Sequence, residues 1–295
     1  MNKSAFCKGI KAVFFCLSLL LAVTVAGGSS IGTAFAESYD AEDVEITRNE
    51  VTYTCDFKSD DTATISKIVA TDDVTAIDVP SSLDHAGKTY TVTMLKFSSG
   101  TKGKNVEQLT LPNTLTKMSG WYFSNFAKVK ELSIPGSIKK FELKLQGANG
   151  LEKLTFEEGV EEISSNMMID RCTSLKEIKL PSTLRLISES STFAGASALK
   201  NINLPEGVVF GESTLGMFQD CSSLTNITLP ASLTSVPHST FKGCTSLTSV
   251  TAKGDITAIE DSAFKDCTSL PSVSFSGTLT SIGASAFEGC TSLTA

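Results

Sequence analysis

LTNITLPASLTSVPHSTFKGCTS (Leu224–Ser246), LTSVTAKGDITAIEDSAFKDCTS (Leu247–Ser269) and LPSVSFSGTLTSIGASAFEGCTS (Leu270–Ser292) are one pattern written three times. Leu224, Leu247, Leu270 and Leu293 open successive units 23 residues apart. The apolar positions keep the same phase. Leu224, Ile227, Leu229, Leu233, Val236, Phe241 and Cys244 match Leu247, Val250, Ala252, Ile256, Ile259, Phe264 and Cys267, and then Leu270, Val273, Phe275, Leu279, Ile282, Phe287 and Cys290. Self-similarity at such a period marks a stacked-repeat architecture, and it overrides the length-based expectation of one large or two medium globular domains.

Going backwards, the pattern loosens but persists. Leu199, Ile202, Leu204 and Val208 open a unit that Phe218 and Cys221 close after a two-residue insertion. Leu175, Ile178, Leu180, Leu184, Ile187 and Phe193 form another, with Ala196 in the Cys place. Leu151, Leu154, Phe156, Val160, Ile163, Met168 and Cys172 read as the one before. The unit opened by Val129, Leu132, Ile134, Ile138 and Phe141 lacks the Phe and Cys, and Val106 to Phe126 is the first complete unit.

Each unit implies its own local structure. Asn226-Ile227-Thr228-Leu229 alternates polar and apolar residues, the mark of a short strand with one buried face. Pro230 follows, and having no N–H to give, it stops the strand. Leu233, Val236 and Phe241 then return to the interior. No unit of this size buries its apolar face alone, so identical residues must form columns along a shared core. With rungs about 4.8 Å apart, the eight complete units from Val106 to Ser292 predict a rod or shallow arc on the order of 40 Å long.

The string C-x-S-L-x-x-I-x-L-P-x-x-L-x-x-I-x-x-x-x-F, carried by Cys221, Ser223, Leu224, Ile227, Leu229, Pro230, Leu233, Val236 and Phe241, resembles the BspA-type leucine-rich repeats of bacterial and some protist surface proteins. The resemblance runs from Val106 to the end, and Ile77–Leu83 looks like an earlier unit interrupted by Asp84 to Tyr90. It implies a β-rich leucine-rich-repeat solenoid, with short strands and irregular or short helical returns. It also implies a surface-exposed adhesion or interaction protein.

The N-terminus bears on the compartment. Lys3, Lys8 and Lys11 precede an apolar run from Ala12 to Ala26, and Ala34-Phe35-Ala36 supplies a small-x-small site. This order reads as a signal peptide over residues 1–36, cleaved after Ala36. An uncleaved anchor is the alternative, but the apolar core falls short of the roughly 20 residues that a spanning helix needs. Cys16 lies inside the apolar run, which disfavours a lipoprotein. Residues 37–105 contain alternating segments such as Val51-Tyr53-Cys55-Phe57 and read as a β-rich N-terminal cap with a degenerate repeat; an independent ligand-binding domain is the competing reading. Residues 106–295 are the repeats, which reach Thr294-Ala295 in mid-unit, as in a sequence cut from a longer one.

The net charge of −7, with no basic cluster, disfavours nucleic acid and anionic lipid as partners. Five of the six cysteines beyond residue 36 share one slot of the unit and read as a column of parallel, reduced, buried thiols. Close C-x-x-C pairs are missing, so no metal ligand set is expected. His85 and His238 lie in different units and no G-x-S-x-G elbow occurs, so neither a catalytic group nor a cofactor site is expected. Gly100-Thr101-Lys102-Gly103-Lys104 lacks phosphate-loop spacing and reads as a turn.

A binding module would use the outward positions of the strand-bearing face: Gln108, Glu131, Lys153, Glu177, Lys179, Asn201, Asn203, Asn226 and Thr228. Trp121 and Tyr122 are candidate aromatic anchors. The expected partners are extracellular host or neighbouring-cell proteins. The rival readings are a passive stalk, or the non-catalytic arm of a larger modular exported enzyme.

Overall fold

A computed structural model of the chain describes residues 38–120, 123–170, 172–211 and 214–294. The signal-peptide reading and its Ala36 site lie outside these residues, as do Trp121 and Tyr122.

The repeats form a parallel β-solenoid of about 8 turns, with almost no helix among the described residues. Most rungs have a first strand, a second strand, and a turn that carries the Phe and Cys slots. On the strand face, Ala76–Asp78, Gln108–Thr110, Glu131–Ile134, Lys153–Phe156 and Glu177–Lys179 stack as one five-stranded parallel ladder, and Asn226–Leu229 pairs with Ser249–Ala252 in another. Register is kept residue for residue: Lys153 lies opposite Glu131 and Glu177, and Ile227 opposite Val250. The second strands repeat this along Lys140–Phe141, Glu162–Ile163, Leu186–Ile187 and Val209–Phe210.

The turn holds a third ladder that hydropathy does not announce. The N–H groups of Ser239, Phe241 and Gly243 donate to the carbonyls of Asp261, Ala263 and Lys265 at 3.0, 2.8 and 2.8 Å, and those of Ser262, Phe264 and Asp266 to Ala284, Ala286 and Glu288. Aiming alternate amides along the axis requires left-handed residues two before and two after each Phe: Ser239 (φ 56°) and Gly243 (φ 74°), then Ser262 (φ 56°) and Asp266 (φ 62°). The later slot alternates Gly195, Asp220, Gly243, Asp266, Gly289. A Cβ on Gly243 would run into the carboxylate of Asp220 on the rung before, and one on Gly289 into that of Asp266.

One hydrophobic core runs unbroken from Val51 to Ala286. Phe193, Phe218, Phe241, Phe264 and Phe287 stack near-parallel with centroids 5.4–5.7 Å apart. Counting back from each unit's opening residue locates the slots in the poorer units. In the unit opened by Val129, buried Leu145 and Ala148 take the Phe and Cys places. In the next, Ile169 takes the Phe place, because Cys172 N–H donates to its carbonyl as Cys244 N–H does to Phe241; Met168, assigned there from sequence, is buried one position earlier. Phe126 occupies a Cys slot, and the rung before supplies Gly103, where any Cβ would overlap the Phe126 ring. Leu279 and Ile282, expected inside, are 40% and 58% exposed, because no described rung packs against their outer side.

The six described cysteines are unpaired, and five of them form the column. Each column thiol donates to the carbonyl of the Phe-slot residue one rung earlier: Cys172 to Leu145, Cys221 to Phe193, Cys244 to Phe218, Cys267 to Phe241 and Cys290 to Phe264, at 3.0–3.2 Å. The column therefore also hydrogen-bonds one rung to the next. Burial pushes the Cys221 and Cys267 thiols up to about 12.

The N-terminal strands β1 (Tyr39–Arg48), β2 (Val51–Lys58) and β3 (Thr62–Ala70) form an antiparallel meander. β3 then pairs in parallel with Lys88–Phe97, which also pairs with Lys117–Gly120 of the first complete rung. Ser82–His85 folds back on Lys88–Phe97 as a hairpin inside the interrupted early unit. Lys102 bonds to β3 in both directions, to Ile68 (2.7 Å) and from Ala70 (2.9 Å), so the meander covers the first rung and shares its core.

Two outcomes follow from this core. Phe241→Ala removes the centre of the ring stack and should cost about 3–5 kcal/mol in denaturant unfolding, as for a fully buried ring. A loss under about 1 kcal/mol would show that the stack is not the main packing element. Thiol reagents at pH 8 should label native protein slowly, and first at half-buried Cys290, with fast labelling of all six cysteines only after unfolding. Equal labelling rates for Cys244 and Cys290 would contradict the buried column.

Candidate functional site

Alternation on the first strands turns one residue in two outward, and this builds the candidate face. Gln108, Glu131, Glu177, Lys179, Asn226 and Thr228 are exposed on first strands, and Lys153 is half-buried there. Asn201 and Asn203 are also exposed, but they do not sit in a paired strand. Asn203 makes a single isolated bridge, to Thr228, and neither residue pairs with Glu177–Lys179.

Equivalent residues on neighbouring rungs sit about one strand spacing apart, so unlike charges attract and like charges repel across rungs. Lys153 Nζ lies 3.3 Å from Glu177 Oε1, Lys176 Nζ 2.6 Å from Glu152 Oε2, and Lys140 Nζ 3.1 Å from Glu162 Oε1. The bond from Lys176 holds the Glu152 carboxyl below its ordinary range, and Glu162 raises Lys140. These pairs are solvent-exposed, so water screens them and they add little to stability. Their effect on the site is to engage Lys153 and Glu177 with each other.

Over the strands Gln108–Thr110, Glu131–Ile134 and Lys153–Phe156 lies an open groove of about 650 Å³. It gathers Gln108, Glu131 and Lys153 from the expected set, together with Thr110, Ser133 and Thr155. Glu107, Lys130 and Glu157 also line it, though they flank the alternating positions and were not in that set. Ser133 Oγ donates to Glu157 Oε1 at 2.7 Å, one rung on. The cue available in sequence was adjacency: each of the three abuts a strand end. Glu177, Lys179, Asn226 and Thr228 lie farther along the face, outside this groove. Asn226 donates to Thr225 Oγ1 at 3.0 Å.

Elsewhere, the His85 ring stacks on Phe57 at 4.8 Å, and His238 N–H donates to Glu260 Oε2 at 3.0 Å. Among the described residues no group of three or more His, Cys, Asp or Glu side chains is placed to hold a metal ion. What the face offers is a wide array of hydroxyl, amide, carboxylate and ammonium groups on a rigid ladder, suited to distributed polar contact.

A leucine-rich repeat protein of T. pallidum of known structure is similar at 19% identity, over 82% of this chain and 88% of that one, with a TM-score of 0.51, which shows the fold. A leucine rich cell surface protein from Faecalibacterium prausnitzii matches at 20% identity over 85% and 93% of the two chains with a TM-score of 0.34, and a leucine-rich repeat protein from Bacteroides ovatus at 18% over 84% and 93% with 0.37. Curated proteins give no match. The family model described as the BspA type Leucine rich repeat region matches residues 98–215 and 212–295, in six copies. The chain belongs to the BspA-type leucine-rich repeat family.

Proposed function

We propose that this chain is an exported, non-catalytic binding module, secreted or displayed at the cell surface, that engages extracellular proteins through the strand face of its solenoid. The observation that carries the reading is the open polar groove over the strands from Gln108 to Phe156, built on paired backbone and lined by Gln108, Thr110, Glu131, Ser133, Lys153 and Thr155. A flat ladder suits a macromolecular partner better than a small ligand, which favours an enclosed apolar pocket. Export is supported by the basic, apolar and small-residue order of residues 1–36. No helix among the described residues is long and apolar enough to cross a membrane.

Two measurements test this. N-terminal sequencing of protein recovered from the medium or surface fraction should begin at Glu37; an intact Met1 terminus on that protein would overturn the cleavage. The segment from Glu37 onward, immobilised at physiological salt, should bind at least one extracellular-matrix or serum protein saturably. Ser133→Arg with Thr155→Arg should then weaken that binding tenfold or more, about 1.4 kcal/mol. Lys242→Glu, on the turn side, should leave it unchanged. The absence of any saturable partner would count against the binding reading, and a partner indifferent to the groove substitutions would count against this face.

A further inference from the structure

Among the described residues, the rung opened by Leu199 is paired unlike its neighbours. Its first half pairs forward only: Thr225 N–H donates to Lys200 O at 3.0 Å and Asn203 bridges Thr228, while Glu177–Lys179 ends the five-stranded ladder behind it. The backbone of its second half pairs backward only, among the described residues. Val209 and Gly211 donate to Arg185 and Ile187 at 2.9 Å each, and Val209–Phe210 is the last strand of its ladder. The next second strand, Ser235–Val236, starts a new ladder with Ala258–Ile259.

Pro237 removes one of the bonds that would close the second break. In neighbouring rungs the residue after the second strand donates its N–H to the rung before: Ser188 to Ile163 (3.0 Å), Gly211 to Ile187 and Glu260 to Val236 (2.9 Å). Pro237 holds that place opposite Phe210 and has no N–H. An open groove of about 280 Å³ lies there instead, and Val209 and Leu215 beside it are 41% and 48% exposed.

The turn side stays continuous through the same rung. Ser191, Phe193 and Gly195 donate to Leu215, Met217 and Gln219, and Gly216, Phe218 and Asp220 to His238, Thr240 and Lys242, at 2.7–3.1 Å. The Phe193–Phe218–Phe241 stack is unbroken. Across both strand faces, the rung is crossed by the covalent segment Leu204–Val208, by the ion pair of Glu206 with Lys253, and by one side-chain bond, from Ser232 Oγ to the Val208 carbonyl at 2.5 Å.

We propose that this rung is a hinge: the stack before it and the stack after it pivot about the turn-side ladder, opening and closing the two strand faces. Segments poor in cross-rung bonds open at lower free energy than fully laddered ones, and pivoting of this kind falls in the microsecond–millisecond range. The pivot lies between Glu177–Lys179 and Asn201–Asn203, so it sets the curvature of the outward face; it holds whether or not that face binds a partner.

The test is a pair of spin-label distance distributions on the chain from Glu37, with Cys290→Ser removing the half-buried thiol. Asp78→Cys with Lys179→Cys spans four rung steps of one intact ladder, and Thr155→Cys with Thr251→Cys spans four steps across the hinge, each roughly 19 Å by strand spacing. The crossing pair should give a distribution at least twice as wide as the control. Pro237→Ser returns an N–H opposite Phe210, with a residue already tolerated at the equivalent Ser164 and Ser188, and should narrow the crossing pair while leaving the control pair unchanged. Equal widths for the two pairs, or a crossing width unaltered by Pro237→Ser, would overturn the hinge.

Discussion

Within each intact ladder of this solenoid a residue has its counterpart one strand spacing away, along an axis of parallel backbone hydrogen bonds. The side chain at a given slot is therefore chosen against the same slot on the rungs before and after. Apolar slots can repeat without conflict, and they do, as the near-parallel Phe193 to Phe287 stack shows. Charged slots cannot repeat one sign cheaply, so Lys153 faces Glu177 and Lys140 faces Glu162. Volume obeys the same constraint: glycine at 103 makes room for Phe126, and Gly243 makes room for the Asp220 carboxylate.

The same spacing shapes the N-terminal meander. A stack of rungs exposes an apolar end and unpaired strand edges unless something covers them. β1, β2 and β3 do this by extending the second-strand sheet through Lys88–Phe97, so that cap and repeats share one core. The outer edge strand β1 carries Asp40, Glu42, Asp43 and Glu45, and charge on an edge discourages pairing with another chain. Asp40 is held by Tyr90 Oη at 2.7 Å and Lys88 Nζ at 3.1 Å, which ties β1 to the hairpin.

For binding, these constraints leave a face that is rigid along each intact ladder and partly self-satisfied in charge. The groove over the first rungs mixes carboxylate, ammonium and hydroxyl groups, whereas the later rungs present Asn226, Thr228, Ser249 and Thr251. Contact with a partner along such a surface is a sum of modest polar terms, and the relative placement of its two halves matters as much as any single side chain.

The amino-acid sequence by itself determined the period, the strand positions, the buried columns, the cysteine slot and the alternating outward residues, because each depends on residues close together in one unit and repeated in phase. Gln108, Glu131 and Lys153 could be named as neighbours on one face before any coordinates. Tertiary structure alone decided what depends on the contact between rungs. It showed that column thiols bond to the carbonyl of the rung before, that left-handed residues build a turn-side ladder, and that Lys153 and Glu177 neutralise each other. It also showed that the rung at Asn201 pairs forward in one half and backward in the other. Local alternation says which way a side chain points. Whether its backbone meets a partner depends on the register and spacing of the adjacent rung and, as at Pro237, on whether an N–H is there to donate.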